Sequence, residues 1–499
     1  MSTPIEQHWR PAPADGQDLA AAAEQDKVRW SVEGLEAIAP QFSARVAFQL
    51  RQRMIGWVVA VSLVVGLLVW PQTTLRLTIG LVSLGYLAIL CYRITLVIRG
   101  QQGTQMVRIS DAAARLIPDC DLPVYTVLVP AYREPEVIGK VISAMRNLEY
   151  PQDRLDVRLM LEADDEQTIQ AARAALPAAS ISMVLVPPAE PRTKPKACNY
   201  GLLDSPGEFV TIFDAEDKPE PLQLRRAVTA LRRLGPQYAC VQAQLSYFNA
   251  HQNIITKWFT VEYANWFRLL LPGLVSVGAP LPLGGTSNHF HANVLRSVGA
   301  WDAFNVTEDA DLGIRLSRLG YQVGVLDSVT LEEANSDFIN WVKQRSRWYK
   351  GYLQTWLVHM RQPVSTHREL GWKGVLGLHL FILGTPLSAV LNPVFWALTV
   401  VWFVQQPQWL QSLFTGWVYY IALICLVGGN AAVVYMNVLT VRVSDKPELL
   451  FAALTTPLYW VMMSLAGVKA AYQLICQPSY WEKTTHGLFG PNDTAKVST

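Results

Sequence analysis

The sequence predicts an α/β domain placed between membrane-spanning helices, and three observations lead to this fold class. Long charge-free apolar runs occur near both ends of the 499-residue chain. Only 16% of the residues are charged, against roughly 25% in soluble domains, and the mean hydropathy is +0.18. Between the apolar runs, short β-branched segments alternate with polar helical segments. A wholly soluble enzyme and a disordered chain are both excluded.

The overall composition also limits the partners. A formal net charge of +2 gives no basic surface of the kind that nucleic acids require, so no nucleic-acid partner is expected. The six cysteines are scattered without a C-x-x-C pair, which argues against a disulfide framework and against a zinc site. The lipid bilayer is the partner that the composition does indicate.

The first two apolar runs, residues 54–70 and 77–92, predict a transmembrane hairpin over residues 54–92. Residues 1–53 are polar and lack a signal peptide, so we expect an uncleaved anchor preceded by a cytoplasmic segment. Arginines flank the hairpin on both outer sides, whereas its link carries only Arg76. The positive-inside rule then places both flanks in the cytoplasm of a multi-pass inner (plasma) membrane protein.

A C-terminal transmembrane region is predicted over residues 373–476. Its first apolar run holds at least two helices, and Pro386 and Pro393 interrupt it; such a break indicates either a lined cavity or a plain proline kink. The run 449–476 carries Lys469 in its second half, which favours an interfacial position there.

The block 93–360 between the membrane regions has the pattern of a mostly parallel sheet with helices on both faces. The predicted strands cover residues 124–129, 157–161, 181–186 and 209–213. The predicted helices between them cover residues 136–147, 166–175 and 196–203.

Acidic side chains follow three of these strands. They are Glu134 after the first, Glu162, Asp164 and Asp165 after the second, and Asp214, Glu216 and Asp217 after the fourth. Ligands of such sheets bind at the carboxyl ends of the strands, where these groups would converge. Ionised carboxylates this close require a positive charge between them, and a hard divalent cation with oxygen ligands, shared with substrate phosphates, would supply it. Lys194 and Lys196 follow the third strand and would supply cations to a diphosphate at the same edge.

Five ordered motifs in this block carry a family resemblance. They are residues 130–134 (PAYRE), 214–216 (DAE) at a D-x-D position, 284–288 (GGTSN), 307–309 (TED) and 344–348 (QRSRW). Over residues 122–356 and the membrane flanks, the sequence resembles the membrane-integrated, inverting family-2 glycosyltransferases with a GT-A fold. That group includes cellulose, hyaluronan and poly-N-acetylglucosamine synthases, and Q-x-x-R-W marks its processive branch.

The resemblance implies a role for each matched residue. Asp309 would be the general base, with Glu308 beside it in the catalytic site. The nucleotide-sugar donor would be bound by Tyr132, Glu134, Glu162, Asp164, Lys196, Asp214, Gln344 and Arg347. The acceptor would be bound by Gly285, Thr286 and Trp348. Mg²⁺ or Mn²⁺ would be held by Asp214, Glu216 and Asp217.

Several alternatives stay open from the residues alone. The base of the nucleotide would contact either Glu162 or Asp164, and the second metal carboxylate would be either Glu216 or Asp217. Asp309 could instead be the N-cap of a helix over residues 310–319. The Trp-rich helix over residues 338–357 could instead be an interfacial anchor.

Within the tail, residues 477–499, the stretch 480–487 (YWEKTTHG) resembles a gating segment that covers the donor site in some relatives. Lys483, Thr484, Thr485 and His486 would form it, which requires a cytoplasmic tail. Two membrane-spanning helices before the block and three after it would instead place the tail on the outer side of the membrane. The motif therefore requires a re-entrant or interfacial C-terminal run, or an extra crossing.

The resemblance implies an inverting, metal-dependent enzyme that polymerises a sugar, expected to be UDP-linked, into an exported β-linked polysaccharide. Its partners would be the nucleotide-sugar donor, the growing polysaccharide and the bilayer, with export or regulatory proteins as further candidates. Two alternatives remain: transfer of one sugar to a lipid acceptor, and an inactive nucleotide-binding sensor.

Overall fold

The computed structural model describes residues 17–103, 105–175, 181–478 and 480–482. Three helices come first: α1 (Gln17–Ile38), α2 (Leu50–Val69) and α3 (Pro71–Gln101). The last two form the predicted helical hairpin, but the expected link at 71–76 is helical. Pro71 occupies the first turn of α3, where a missing N–H costs nothing, so only Trp70 separates the two helices.

One nine-stranded sheet forms the centre of the block after the hairpin. Its strands are β1 (Met106–Val107), β2 (Tyr125–Ala131), β3 (Leu155–Glu162), β4 (Ile181–Val186), β5 (Phe209–Ile212), β6 (Lys218–Pro219), β7 (Tyr238–Tyr247), β8 (Asn288–His291) and β9 (Gln322–Glu332). The order is β1-β9-β7-β8-β5-β2-β3-β4, and β6 pairs with β9. Most pairs are parallel, as predicted, but β8 is antiparallel to both β5 and β7.

Helices cover both faces of this sheet. The helices of this block are α4 (Asp111–Ala114), α5 (Pro135–Arg146), α6 (Glu166–Ala175), α7 (Lys194–Leu202), α8 (Gln223–Leu234), α9 (Ile254–Asn265), α10 (Leu271–Val277), α11 (Ala292–Ser297), α12 (Glu308–Arg318) and α13 (Phe338–His359). Of these, α7 packs on one face of the sheet and α8 on the other. Alternating residues of β2 enter two separate cores, with Leu128 in one and Val127 in the other. The predicted strand 181–186 and helix 166–175 match residue for residue, and the other strands and helices predicted for this block lie within two residues of those observed. The helices of the hairpin, in contrast, extend up to nine residues beyond the predicted apolar runs.

The C-terminal part is helical: α14 (Pro363–Gly377), α15 (Gly384–Gln405), α16 (Gln408–Leu413), α17 (Trp417–Leu423), α18 (Asn430–Val443), α19 (Leu450–Leu454) and α20 (Thr456–Cys476). By length and composition, four helical stretches of the described chain can cross a membrane: Leu50–Val69, Pro71–Gln101, Pro363–Gln405 and Trp417–Val443. A bent pair, Pro447–Leu454 and Thr456–Cys476, would make a fifth; its halves meet at 61°. Helix α15 continues through Pro393, and its Thr385, Ser388 and Asn392 line a cavity.

Helix α3 is joined to the block by close backbone contact. A Cβ atom on Gly100 would lie 1.9 Å from the carbonyl oxygen of Leu269, and one on Gly273 would lie 2.2 Å from that of Leu96. Only glycine allows this approach, so α3 packs directly against the segment 269–273. Helix α2, in contrast, has no buried residue along its 20 positions.

Candidate active site

A cavity of about 620 Å³ opens at the carboxyl ends of β2, β3 and β5 and continues between α3, α15, α18 and α20. Twelve of the predicted site residues line it: Tyr132, Glu134, Glu162, Asp214, Glu216, Gly285, Thr286, Glu308, Asp309, Gln344, Arg347 and Trp348. Motifs that are far apart in the sequence therefore meet in one space. Asp164, Lys196 and Asp217 do not line this cavity.

Lys194 is the lysine that faces the cavity. Its Nζ forms an ion pair with Asp214 and donates to the carbonyl oxygen of Gly285 at 2.7 Å. Burial alone would lower the pKa of Lys194, but the carboxylates of Asp214 and Glu308 raise it above its ordinary value. The ammonium group thus stays charged between the Asp214 loop and the 284–288 loop.

The prediction that Lys196 contacts the donor needs correction. Its side chain is fully buried, and its Nζ lies 2.9 Å from Glu162 Oε1 and 3.1 Å from the carbonyl oxygen of Pro187. Residues two apart on a helix point to different faces, so Lys194 and Lys196 of α7 cannot both face the cavity. Lys196 instead holds Glu162 at the cavity wall.

Asp164 also lies away from the cavity. It pairs with Arg192, with a distance of 2.5 Å between Asp164 Oδ2 and Arg192 Nη1. This arginine lowers the pKa of the Asp164 carboxyl. Of the two residues proposed for contact with the nucleotide base, Glu162 is the one that lines the cavity.

Asp217 supports the loop after β5. Its Oδ2 accepts the backbone N–H of Asp214 at 2.8 Å and the hydroxyl hydrogen of Thr286, so this carboxylate oxygen is already engaged. Burial, together with the charges of Asp214 and Glu216, raises the pKa of Asp217 well above its ordinary value. The position of Asp217 outside the cavity, together with these contacts, favours a structural role over the predicted metal role. Thr286 lines the cavity, so its predicted acceptor contact stays a prediction.

Asp214 and Glu216 remain as candidate metal ligands. Both line the cavity, and their carboxylate oxygens are hard ligands that suit Mg²⁺ or Mn²⁺. Within the described residues, no group of three His, Cys, Asp or Glu side chains is arranged to hold a metal ion. Two carboxylates fit an ion that takes its other ligands from a substrate diphosphate and water.

The two acids of the T-E-D motif begin helix α12. Asp309 Oδ1 accepts the N–H of Ala310 at 2.7 Å, and a Cβ atom on Gly285 would lie 3.3 Å from Asp309 Oδ2. The helix starts at Glu308, so Asp309 is in its first turn and is not its N-cap. Burial raises the pKa of Asp309, and burial together with the neighbouring Asp309 raises the pKa of Glu308 to about 8.

The Q-x-x-R-W residues lie on α13, which is packed closely against the T-E-D loop. A Cβ atom on Gly351 would lie 2.3 Å from Thr307 Oγ1, so the small residue permits this contact. Arg347 Nη1 donates to the carbonyl oxygen of Val306 at 3.4 Å. Gln344 Oε1 accepts from Asn335 at 2.9 Å. Since this helix forms part of the cavity wall, the interpretation as a plain interfacial anchor is not needed.

Comparison with known proteins identifies the family. Residues 209–463, more than half of the chain, match the family described as Glycosyl transferase family group 2, and residues 126–276 match Glycosyl transferase family 2. The chain belongs to glycosyl transferase family group 2. It is a transferase, and its α/β domain has the GT-A fold that the motifs predicted.

Three curated relatives show the range of this family. The transferase is 27% identical to a probable glycosyltransferase, YdaM, of Bacillus subtilis (46% of this chain, 56% of that protein). It is 28% identical to a beta-monoglucosyldiacylglycerol synthase of Synechocystis (52% and 54%). It is 26% identical to a glucomannan 4-beta-mannosyltransferase of Oryza sativa (54% and 54%). The chain thus spans about half the length of these relatives.

A solved structure supports the same fold. The mannosyltransferase PcManGT from Pyrobaculum calidifontis, in complex with GDP-Man and Mn²⁺, superposes with a TM-score of 0.54 at 19% identity. The alignment covers 81% of the transferase and 99% of PcManGT.

The segment after α20 reaches the cavity of the transferase. Trp481 lines the cavity, Gln354 donates to the carbonyl oxygen of Pro478 at 2.8 Å, and Glu482 pairs with Lys469 at 2.8 Å. The predicted gating residues Lys483, Thr484, Thr485 and His486 lie outside the described residues.

Sequence reasoning did not find the pair of Glu262 and Arg345. Both line the cavity, and two hydrogen bonds of 2.9 and 2.6 Å join them. Glu262 belongs to α9 and lies in none of the motifs, so only the packing of α9 against α13 reveals this pair.

Proposed function

We propose that the transferase is an inverting, metal-dependent glycosyltransferase that moves a sugar from a nucleotide-sugar donor to an acceptor hydroxyl. The observation that carries this proposal is the meeting of the Asp214 loop, the T-E-D acids and Arg347 in one cavity. In this proposal the nucleotide contacts Glu162 and Tyr132, and its diphosphate lies between Lys194 and Arg347, whose charges offset those of the phosphates.

Asp309 is the proposed general base. Its raised pKa makes it a stronger proton acceptor than an ordinary aspartate once it is ionised. It takes the proton of the acceptor hydroxyl, and the oxygen attacks the anomeric carbon from the side opposite the diphosphate, which inverts the configuration. Mg²⁺ or Mn²⁺ at Asp214 and Glu216 would stabilise the negative charge on the leaving diphosphate.

The acceptor is proposed to lie in the part of the cavity between the apolar helices. Aromatic side chains there, including Trp266, Trp348, Tyr352 and Trp460, offer faces on which sugar rings can stack. Thr385, Ser388 and Asn392 add polar groups to the wall. This lining favours a growing β-linked glycan that leaves through the membrane region. The arginines that flank the helical hairpin favour a cytoplasmic position for the catalytic block.

A second candidate is the transfer of one sugar to a lipid. Ile89, Leu90, Val433 and Met463 give the same cavity an apolar wall that suits an acyl chain. A relative named as a glycolipid synthase is consistent with this candidate.

Product analysis tests the proposal. The purified transferase, reconstituted in vesicles, is supplied with Mn²⁺ and with radiolabelled UDP- or GDP-linked sugars in turn. A glycosidase-sensitive polymer supports polymerisation, and a chloroform-soluble product with one sugar supports the lipid candidate. Absence of any transferred label with every donor, under conditions where the nucleotide binds, would favour the inactive sensor.

A further inference from the structure

Five cationic side chains line the cavity: Arg93, Arg192, Lys194, Arg345 and Arg347. Three of them have a carboxylate partner within 4 Å, which is Asp164 for Arg192, Asp214 for Lys194 and Glu262 for Arg345. Within the described part of the chain, Arg93 and Arg347 form no such ion pair. Arg347 has a proposed anion, the donor diphosphate, whereas Arg93 has none.

Arg93 lies on α3, where the charge-free stretch of that helix ends. Its Nη2 donates to Thr385 Oγ1 at 2.8 Å, which is the one hydrogen bond that this guanidinium makes within the described residues. The hydroxyl of Thr385 itself donates to the carbonyl oxygen of Phe381 at 2.7 Å. The Nε atoms of Arg93 and Arg345 are both buried without a partner, so the two arginines differ in the contacts of their Nη atoms. A guanidinium is always charged, so leaving its donors unpaired away from bulk water has a free-energy cost.

Arg345 provides an internal comparison in the same cavity. Its guanidinium makes two hydrogen bonds to Glu262, and Tyr459 donates a third bond to that carboxylate at 2.7 Å. A structural arginine in this wall is thus neutralised by the protein. Within the described residues, Arg93 has no carboxylate at ion-pair distance, and the Glu262 carboxylate that acts on it at longer range is already paired with Arg345. This arrangement indicates that the close counter-ion of Arg93 comes from a ligand.

We propose that Arg93 forms a subsite for the phosphate group of a lipid acceptor. Arg93 directly follows the charge-free stretch 77–92 of α3, so in a membrane it would lie near the end of the hydrocarbon region, where lipid phosphates begin. Its guanidinium fork suits two phosphate oxygens. The apolar wall formed by Ile89 and Leu90 would then contact the acyl chains. The inference rests on the proposed function and concerns the anchor of the acceptor. It applies whether one sugar or many are added.

The test measures binding of soluble lipid probes to the full-length protein in octaethylene glycol dodecyl ether micelles. UDP or GDP, whichever binds, is present with Mn²⁺ at saturation, so that the diphosphate site is filled. The probes are dihexanoyl phosphatidic acid, its phosphate-free counterpart dihexanoylglycerol, and inorganic phosphate. We expect phosphatidic acid to bind at least about tenfold more tightly than either of the others.

Matched variants on helix α3 distinguish binding at the Arg93 subsite from a general attraction of the lipid phosphate to positive surface charge. Arg93→Gln should remove the preference for phosphatidic acid, and Arg93→Lys should keep part of it. Arg99→Gln removes an exposed cation of the same helix and should change nothing. Equal binding of both lipids by the wild type, or an equal loss in Arg99→Gln, would overturn the proposal. Equal affinity for inorganic phosphate would assign the site to a soluble ligand instead and would also overturn it.

Nucleotide binding to each variant keeps this result separate from the proposed function. Arg93→Gln should retain the wild-type affinity for UDP or GDP, because Arg93 is assigned to the acceptor side. If Arg93-dependent lipid binding is found but no sugar is ever transferred, the proposed function fails while the subsite stands. If sugar is transferred but phosphatidic acid binds no more tightly than dihexanoylglycerol, the subsite proposal fails while the proposed function stands.

Discussion

The guanidinium carbon of Arg347 lies 4.6 Å from the centre of the Trp481 indole ring. This contact joins the Q-x-x-R-W helix to the segment that follows α20. Arg347 also donates to the backbone of Val306, just before the T-E-D acids, so one arginine links the two regions. Trp481 therefore lies at the cavity, as the gating role expected for the tail requires, and the bent pair α19–α20 precedes this segment.

Replacement of Trp481 tests this contact. A cation–π interaction of about 1 to 2 kcal/mol that orients Arg347 for the diphosphate predicts a donor KM roughly 5- to 30-fold higher in Trp481→Ala. Trp481→Phe should fall between that variant and the wild type. Trp372→Ala, which removes an exposed tryptophan from α14, serves as the control in steady-state kinetics. An unchanged donor KM in Trp481→Ala would mean that the contact has no role in donor binding.

The two lysines of α7 should respond differently to the same change. Lys194→Met removes a cation from the proposed diphosphate site, so kcat/KM for the donor should fall by about 100-fold or more. Lys196→Met leaves Glu162 buried without its partner and should lower the free energy of unfolding by about 3 kcal/mol or more. Kinetics and thermal unfolding of both variants measure these effects. A fully active Lys194→Met would reject the assignment of the cavity-facing lysine.

Mn²⁺ binding distinguishes the three acids after β5. Asp214→Ala and Glu216→Ala should each weaken Mn²⁺ binding in the presence of nucleotide, because each removes an oxygen ligand. Asp217→Asn should leave Mn²⁺ affinity nearly unchanged and should lower the unfolding temperature, because it alters the contacts to Asp214 and Thr286. Electron paramagnetic resonance of free Mn²⁺ gives the affinities. A large loss of Mn²⁺ binding in Asp217→Asn would restore it as a ligand.

Much of the site followed from the sequence because local signals were strong there. Strand β4 and helix α6 have clear periodicity, and the acids after β2, β3 and β5 are brought together by any parallel arrangement of those strands. The orientation of individual side chains could not be predicted from the sequence. Lys194 and Lys196 have the same chemistry, and only the rotation of α7 decides which of them faces the cavity.

Contacts between distant segments were also beyond local reasoning. The antiparallel strand β8, the Glu262–Arg345 pair and the Arg347–Trp481 contact depend on packing between elements more than 75 positions apart. Aspartate is a common metal ligand, but the carboxylate of Asp217 accepts the backbone N–H of Asp214 and so stabilises the loop after β5. Residue type alone could not predict this contact.

The pH dependence of the reaction should reflect the raised pKa of Asp309. Below that pKa the base is protonated, so kcat/KM should fall as the pH drops, starting above the ordinary aspartate pKa near 3.9. Burial and the charge of Asp309 raise the pKa of Glu308 to about 8, so this side chain is expected to pass from its ionised to its protonated form near that pH. Glu308→Gln imitates the protonated form of this side chain. The variant should keep the fall in kcat/KM at low pH and should lose any transition near pH 8. An acid limb at the ordinary aspartate value would argue against a buried base.

The most direct test of the account compares donor binding and turnover in Asp309→Asn. A base acts only on the acceptor, so the dissociation constant of the donor nucleotide with Mn²⁺ should stay within about twofold of the wild type. Sugar transfer should fall to well below a tenth of the wild-type turnover. If Asp309→Asn keeps more than about a tenth of that turnover, the barrier has risen by less than about 1.4 kcal/mol, and Asp309 is not the general base.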